Sequence, residues 1–123
     1  MNVWLFVAAI NGALAVAAGA FGAHALQARL DQHAMQVFET AARYHMYHAL
    51  AIGLAAFAMR GPAATPATAA TGFFLAGILL FSGSLYLLAL TGNKALGIVT
   101  PFGGVCFLIG WGLLALAATR LKM

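Results

Sequence analysis

Four apolar stretches take up nearly all of this chain, and each is long enough to cross a bilayer. A hydrocarbon span needs roughly 20 mainly apolar residues as a helix, and the stretches run over about 3–26, 37–59, 66–90 and 95–118. With 64% hydrophobic and 7% charged residues, and a mean hydropathy of +0.98, they could not be solvated in water. In lipid every backbone polar group must be satisfied inside its own segment, and these runs are continuous where barrel strands would alternate. The expected fold is all-α: one domain over residues 1–123, an integral membrane four-helix bundle with four transmembrane helices. The first stretch reads as a mature helix, because no Lys or Arg precedes Arg29 and its length exceeds a signal-peptide core.

The net charge of +4 is scattered one residue per connection, a pattern of topology control and headgroup contact that excludes a nucleic-acid patch. With four spans, Arg60, Arg120 and Lys122 share one side, and Arg29 and Lys94 the other, with Arg43 near the interface. That count weakly favours cytoplasmic termini. Cys106 is the only cysteine and sits in an apolar run, so it reads as a small core residue with no base beside it.

The connections carry helix-start chemistry. Asp31 is placed to cap a helix opening at Gln32, and Glu39 and Arg43 at i,i+4 predict a salt bridge holding an interface. Thr65 with Pro66 predicts the start of the third helix, and Thr100 with Pro101 the true start of the fourth, leaving residues 95–99 as a separate short turn.

Two patterns lie inside the spans. Ala8, Gly12, Ala15, Gly19, Gly22 and Leu26 form a heptad seam of small side chains, and Gly103, Cys106 and Gly110 repeat the spacing on the fourth helix. Such seams let membrane helices approach closely. Polar residues meanwhile cluster toward one face of the membrane: His24, Glu39, Arg43, Tyr44, His45, Tyr47, Ser82, Ser84, Tyr86 and Thr100, with His48 a turn deeper. Ionisable groups inside spans are costly and mark either a site or a hydrogen-bonded knot. At about 100° per residue, Glu39, Arg43, Met46 and Tyr47 share a sector, with Tyr44, His45 and His48 opposite. His45 and His48 at i,i+3, with His24 arriving from the antiparallel first helix, make a three-nitrogen metal site or an axial haem ligand conceivable. Zinc would want a fourth ligand and haem a flat apolar slot. A proton-relay or quinone-edge role for the His and Tyr set stands beside these, and hydrogen bonding of the histidines to Ser82 or Ser84 is favoured over all of them. No metal or cofactor is assigned.

The blocks Gly19-Ala20-Phe21-Gly22-Ala23-His24-Ala25-Leu26 and Phe38-Glu39-Thr40-Ala41-Ala42-Arg43-Tyr44-His45-Met46-Tyr47-His48-Ala49-Leu50 strongly resemble the small four-helix bacterial inner-membrane proteins of the YgdD/YwdK type, related to the transmembrane-protein-256-like proteins. Phe81-Ser82-Gly83-Ser84-Leu85-Tyr86, Leu90-Thr91-Gly92 and Gly97-Ile98-Val99-Thr100-Pro101-Phe102-Gly103-Gly104 extend the resemblance over essentially the whole chain. It implies a four-span protein of the inner membrane and brings no assigned activity, substrate, cofactor or catalytic residue.

Catalysis is disfavoured: Asp31 and Glu39 are the only acids, no serine stands in a nucleophile turn, and no phosphate-binding glycine loop is present. A single copy is also thin for a transporter. The expectation is a non-catalytic accessory or scaffold that binds a membrane partner or lipid through its polar half, with membrane lipids, a membrane protein or further copies as partners. The alternative is a histidine-lined pocket binding or conducting a small ligand, ion or proton.

Overall fold

A computed structural model describes residues 1–122, and it is all-helical. Four rods follow in chain order: α1 (Val3–Leu26), α2 (Gln32–Phe57), α3 (Gly61–Thr91) and α4 (Lys94–Arg120). By length and composition α1, α3 and α4 are each able to cross a membrane. The fourth rod of the set, α2, has 26 residues, about 39 Å at 1.5 Å per residue, but carries Glu39, Arg43 and three histidines.

Local chemistry sets the ends. Asn2 caps α1 by accepting from the Leu5 amide at 3.0 Å, and Asp31 caps α2 by accepting from the Ala34 amide at 2.8 Å. The third rod starts earlier than Thr65–Pro66 predicts. Its first turn is a 3-10 segment, Gly61–Ala63, in which Pro62 supplies the favourable early proline and Gly61 takes a φ of +50°. At its far end Gly92 adopts the left-handed conformation that closes the helix. The expected break before Pro101 is present: a 3-10 turn, Lys94–Ile98, capped by Asn93, precedes the α-helical segment Thr100–Arg120.

The main seams run α1–α2, α2–α3 and α3–α4. A seam closing α4 onto α1, which a square bundle would have, is not among the main contacts of the described residues. The least apolar rod is therefore a central one, and ten of its 26 residues are buried. That arrangement follows from lipid exposure: leucine-rich faces tolerate hydrocarbon, and histidines do not. The core joins Ala8, Ala51, Ile52, Ala55, Phe74, Ile78 and Phe107, and a second cluster holds Ala58, Ala63, Ala67 and Ala117.

The small-residue seams do not meet each other; each serves its own neighbour. Gly19 lies where a Cβ would stand 3.4 Å from Ala42, and Gly22 where one would stand 3.2 Å from the Phe38 ring. On α4, Gly103 presses on the backbone at Leu80 and Phe81, and a Cβ on Gly110 would sit 2.6 Å from the Phe74 ring. Gly12 departs from expectation, with nothing within 4 Å of its missing Cβ. It lines a shallow groove with Ala8, Ala49 and Gly53 instead of packing. A glycine that sequence reasoning passed over, Gly77, takes the close-packing role against Phe107.

Candidate functional site

The expected polar cluster resolves into two histidine knots, a serine–threonine clasp and a charged outer face. In the first knot, Asn11 donates its amide N–H to the Val7 carbonyl at 2.9 Å, which turns its Oδ1 toward His45 Nε2 at 2.9 Å. An amide oxygen only accepts, so the imidazole donates from Nε2. Nδ1 lies 3.0 Å from the Tyr86 hydroxyl and accepts its proton in the neutral ring. Phe38 meets the Tyr86 ring edge-on, with centroids 5.1 Å apart. One buried ring thus ties α1, α2 and α3 together.

The second knot has the opposite tautomer. His48 Nδ1 lies 2.7 Å from the Tyr44 carbonyl, to which it must donate, and Nε2 accepts from the Trp111 indole N–H at 3.1 Å. Phe107 stacks on the imidazole with centroids 3.4 Å apart and planes 7° from parallel. This ring joins α2 to α4 across the face of α3, where Phe74 lies beneath it. Both histidines are buried, and all four ring nitrogens are occupied by groups of this chain.

Ser84 donates to the Phe81 carbonyl at 2.9 Å, which leaves its oxygen to accept from Thr100 at 2.6 Å. This clasp fixes the first α-helical turn of α4 against α3. Ser82 has no such partner among the described residues: its hydroxyl is fully buried and unbonded at the end of a π-helical segment, Ile78–Ser82. The expected serine partners of the histidines are therefore corrected to Asn11, Tyr86 and Trp111.

Two further expectations fail for geometric reasons. His24 does not join the other histidines; it is exposed on the last turn of α1, about half a turn beyond the rung where Gly22 meets Phe38, while His45 lies about two turns from that rung in the opposite direction along α2. Among the described residues no three His, Cys, Asp or Glu side chains gather closely enough to hold a metal ion. Nor does a Glu39–Arg43 bridge form: both side chains are exposed beside α1, along Ala15, Val16, Gly19 and Ala20, with no N···O approach within 4.0 Å among the described residues. An exposed i,i+4 pair gains little and must immobilise two long side chains.

A lateral groove of about 600 Å³ runs between α2 and α4, lined by Tyr44, Tyr47, His48, Phe81, Phe107 and Trp111 at one end and Leu50, Leu54 and Leu108 at the other. Tyr44 packs on Phe81 with centroids 4.9 Å apart and edge-on to Tyr47 at 5.5 Å. The second knot forms the inner wall of this groove. Asn11 and Trp111 were the site residues missing from the expected set. Their signal was present: a lone amide in the run Ala8–Ala15, and an indole deep in α4 whose N–H needs an acceptor.

The profile of a family described as protein of unknown function (DUF423) matches residues 18–104. The UPF0382 membrane protein YwdK of Bacillus subtilis (strain 168) is 43% identical over 121 residues, 98% of each chain. The UPF0382 membrane protein SAB0533 of Staphylococcus aureus (strain bovine RF122 / ET3-1) is 44% identical over 120 residues, again 98% of each. No solved structure matches. With three long apolar rods, these relationships identify an integral membrane protein.

Proposed function

The chain belongs to the DUF423 family of membrane proteins, and from that premise we propose that it is a non-catalytic accessory module of the bacterial inner membrane. All four rods cross the bilayer, both termini lie in the cytoplasm, and a lipid or another lipid-embedded partner is held in the groove between α2 and α4.

One observation carries this reading: every ring nitrogen of His45 and His48 is spent on the chain's own groups. A metal, or an acid–base step on a bound substrate, would need one of those nitrogens free to face it. The polar half accordingly serves as framework, and the surface it shapes is the aromatic groove. A volume of about 600 Å³ with mostly apolar lining and a lateral opening suits an acyl chain or a flat lipid-soluble molecule. Four spans are supported by the length of α2, about 39 Å against a hydrocarbon thickness of about 30 Å. Cytoplasmic termini are supported by Arg60, Arg120 and Lys122 on their side.

The test is native mass spectrometry from lipid discs, comparing the unaltered protein with Gly104→Leu. The missing Cβ of Gly104 would lie 4.0 Å from the Phe81 ring at the groove wall, leaving room for a side chain that fills it. A retained lipid-sized mass that Gly104→Leu loses supports the reading. A clean protein mass in both, or an equal retained mass in both, contradicts it.

A further inference from the structure

The outward face of α2 carries an exposed acid and an exposed base, Glu39 and Arg43. Gln36, Glu39, Arg43, Tyr47, Leu50 and Leu54 are all exposed, and at about 100° per residue they fall within a sector of about 80°. The face is polar at one end and apolar at the other. Glu39 and Arg43 stand about 10 and 16 Å along the rod from Gln32 at 1.5 Å per residue. If α2 is centred in a hydrocarbon layer of about 30 Å, both side chains leave the backbone inside it. Neither forms an ion pair within 4.0 Å in its own chain among the described residues, and a lipid tail has no countercharge to offer.

We propose that this face is covered by the same face of a second copy. The charge pattern specifies the occupant. One acid and one base a turn apart make a net-neutral, self-complementary patch. A two-fold axis along the membrane normal sets two α2 rods side by side and parallel, so that each Arg43 reaches the other copy's Glu39 one turn away, as e and g positions do in coiled coils. Two ion pairs form at once, shielded from lipid. Small residues help the approach: Ala15, Gly19 and Ala20 of α1 border the charged pair along a groove of about 410 Å³, where a second backbone can come close. The α1 rod leaves most of its own surface bare, with 11% of its apolar window buried. The face shares Tyr47, Leu50 and Leu54 with the rim of the α2–α4 groove, but the charge exchanges at Glu39 and Arg43, which lie outside that groove, read dimerisation apart from what the groove holds.

Reconstitution in lipid discs tests it, with stoichiometry read by native mass and by cysteine crosslinking in a Cys106→Ala background. The unaltered protein gives a dimer, and Gln36→Cys or Leu50→Cys crosslinks to its own counterpart, whereas Leu79→Cys on the lipid face of α3 does not. Glu39→Arg or Arg43→Glu alone weakens dimerisation at least tenfold, and the double exchange restores it. A monomer at every protein density, a dimer indifferent to the single exchanges, or crosslinking through Leu79→Cys overturns the proposal. Because the crosslinks keep both charges, a charge variant that fails to fold does not rescue the idea from a negative crosslinking result.

Discussion

Trp111 donates its indole N–H to His48 Nε2 at 3.1 Å, joining two rods that share no main backbone seam. Trp111→Phe keeps most of the ring and removes the donor, leaving a buried imidazole nitrogen without a partner. The expected cost is about 1–3 kcal/mol, read as a lower melting temperature in detergent. An unchanged melting temperature would show that the bond carries no load.

His45 allows a sharper experiment because two residues bond one ring. Asn11→Leu strands an N–H and Tyr86→Phe strands a lone pair, each with an expected loss of about 1–3 kcal/mol. Once either partner is gone the ring is free to turn or change tautomer, so the double variant should lose less than the sum by about 0.5 kcal/mol or more. Strict additivity would mean that the two bonds are independent and that the ring does not turn or change tautomer when one partner is lost.

The glycines divide into those that pack and one that does not. Gly110→Ala drives a Cβ to 2.6 Å from the Phe74 ring, and such overpacking costs about 1–3 kcal/mol. Gly12→Ala meets open space and should stabilise the helix by about 0.5–1 kcal/mol. Thermal melts of the two variants should therefore move in opposite directions.

Ser82→Ala is expected to be neutral or stabilising, although Ser82 stands in a polar block of the sequence. Its hydroxyl is buried without a partner, and removing an unsatisfied polar group relieves a desolvation cost. Ser84→Ala, by contrast, breaks the clasp to Thr100 and should cost about 1 kcal/mol. A larger loss at Ser82 than at Ser84 would mean that Ser82 bonds something in the membrane.

These contrasts show what could be read from the residues alone. Rod positions, the Asp31 cap and the break before Pro101 were legible because each depends on a few neighbouring residues. Partners were not, because they depend on how the rods align. His45 and His48 at i,i+3 look like one site, yet they differ by about 60° around the helix. That rotation sends one ring toward α1 and α3 and the other toward α4. Spacing also put Gly12 in the same seam as Gly19, but the residue opposite decides whether a glycine packs, and Gly12 faces an open groove. Thr65–Pro66 lies within the first α-helical turn, which opens at Ala64, and what it left out is the 3-10 turn Gly61–Ala63 that Pro62 starts ahead of it.

The central claim is that both buried histidines are neutral, internally bonded parts of the framework. Nitrogen-15 NMR of the imidazoles in lipid bilayers at neutral pH reads this directly. The account predicts two neutral rings of opposite tautomer, His45 protonated at Nε2 and His48 at Nδ1. A doubly protonated ring, a shared tautomer, or a nitrogen shifted by a bound metal or ligand would contradict it.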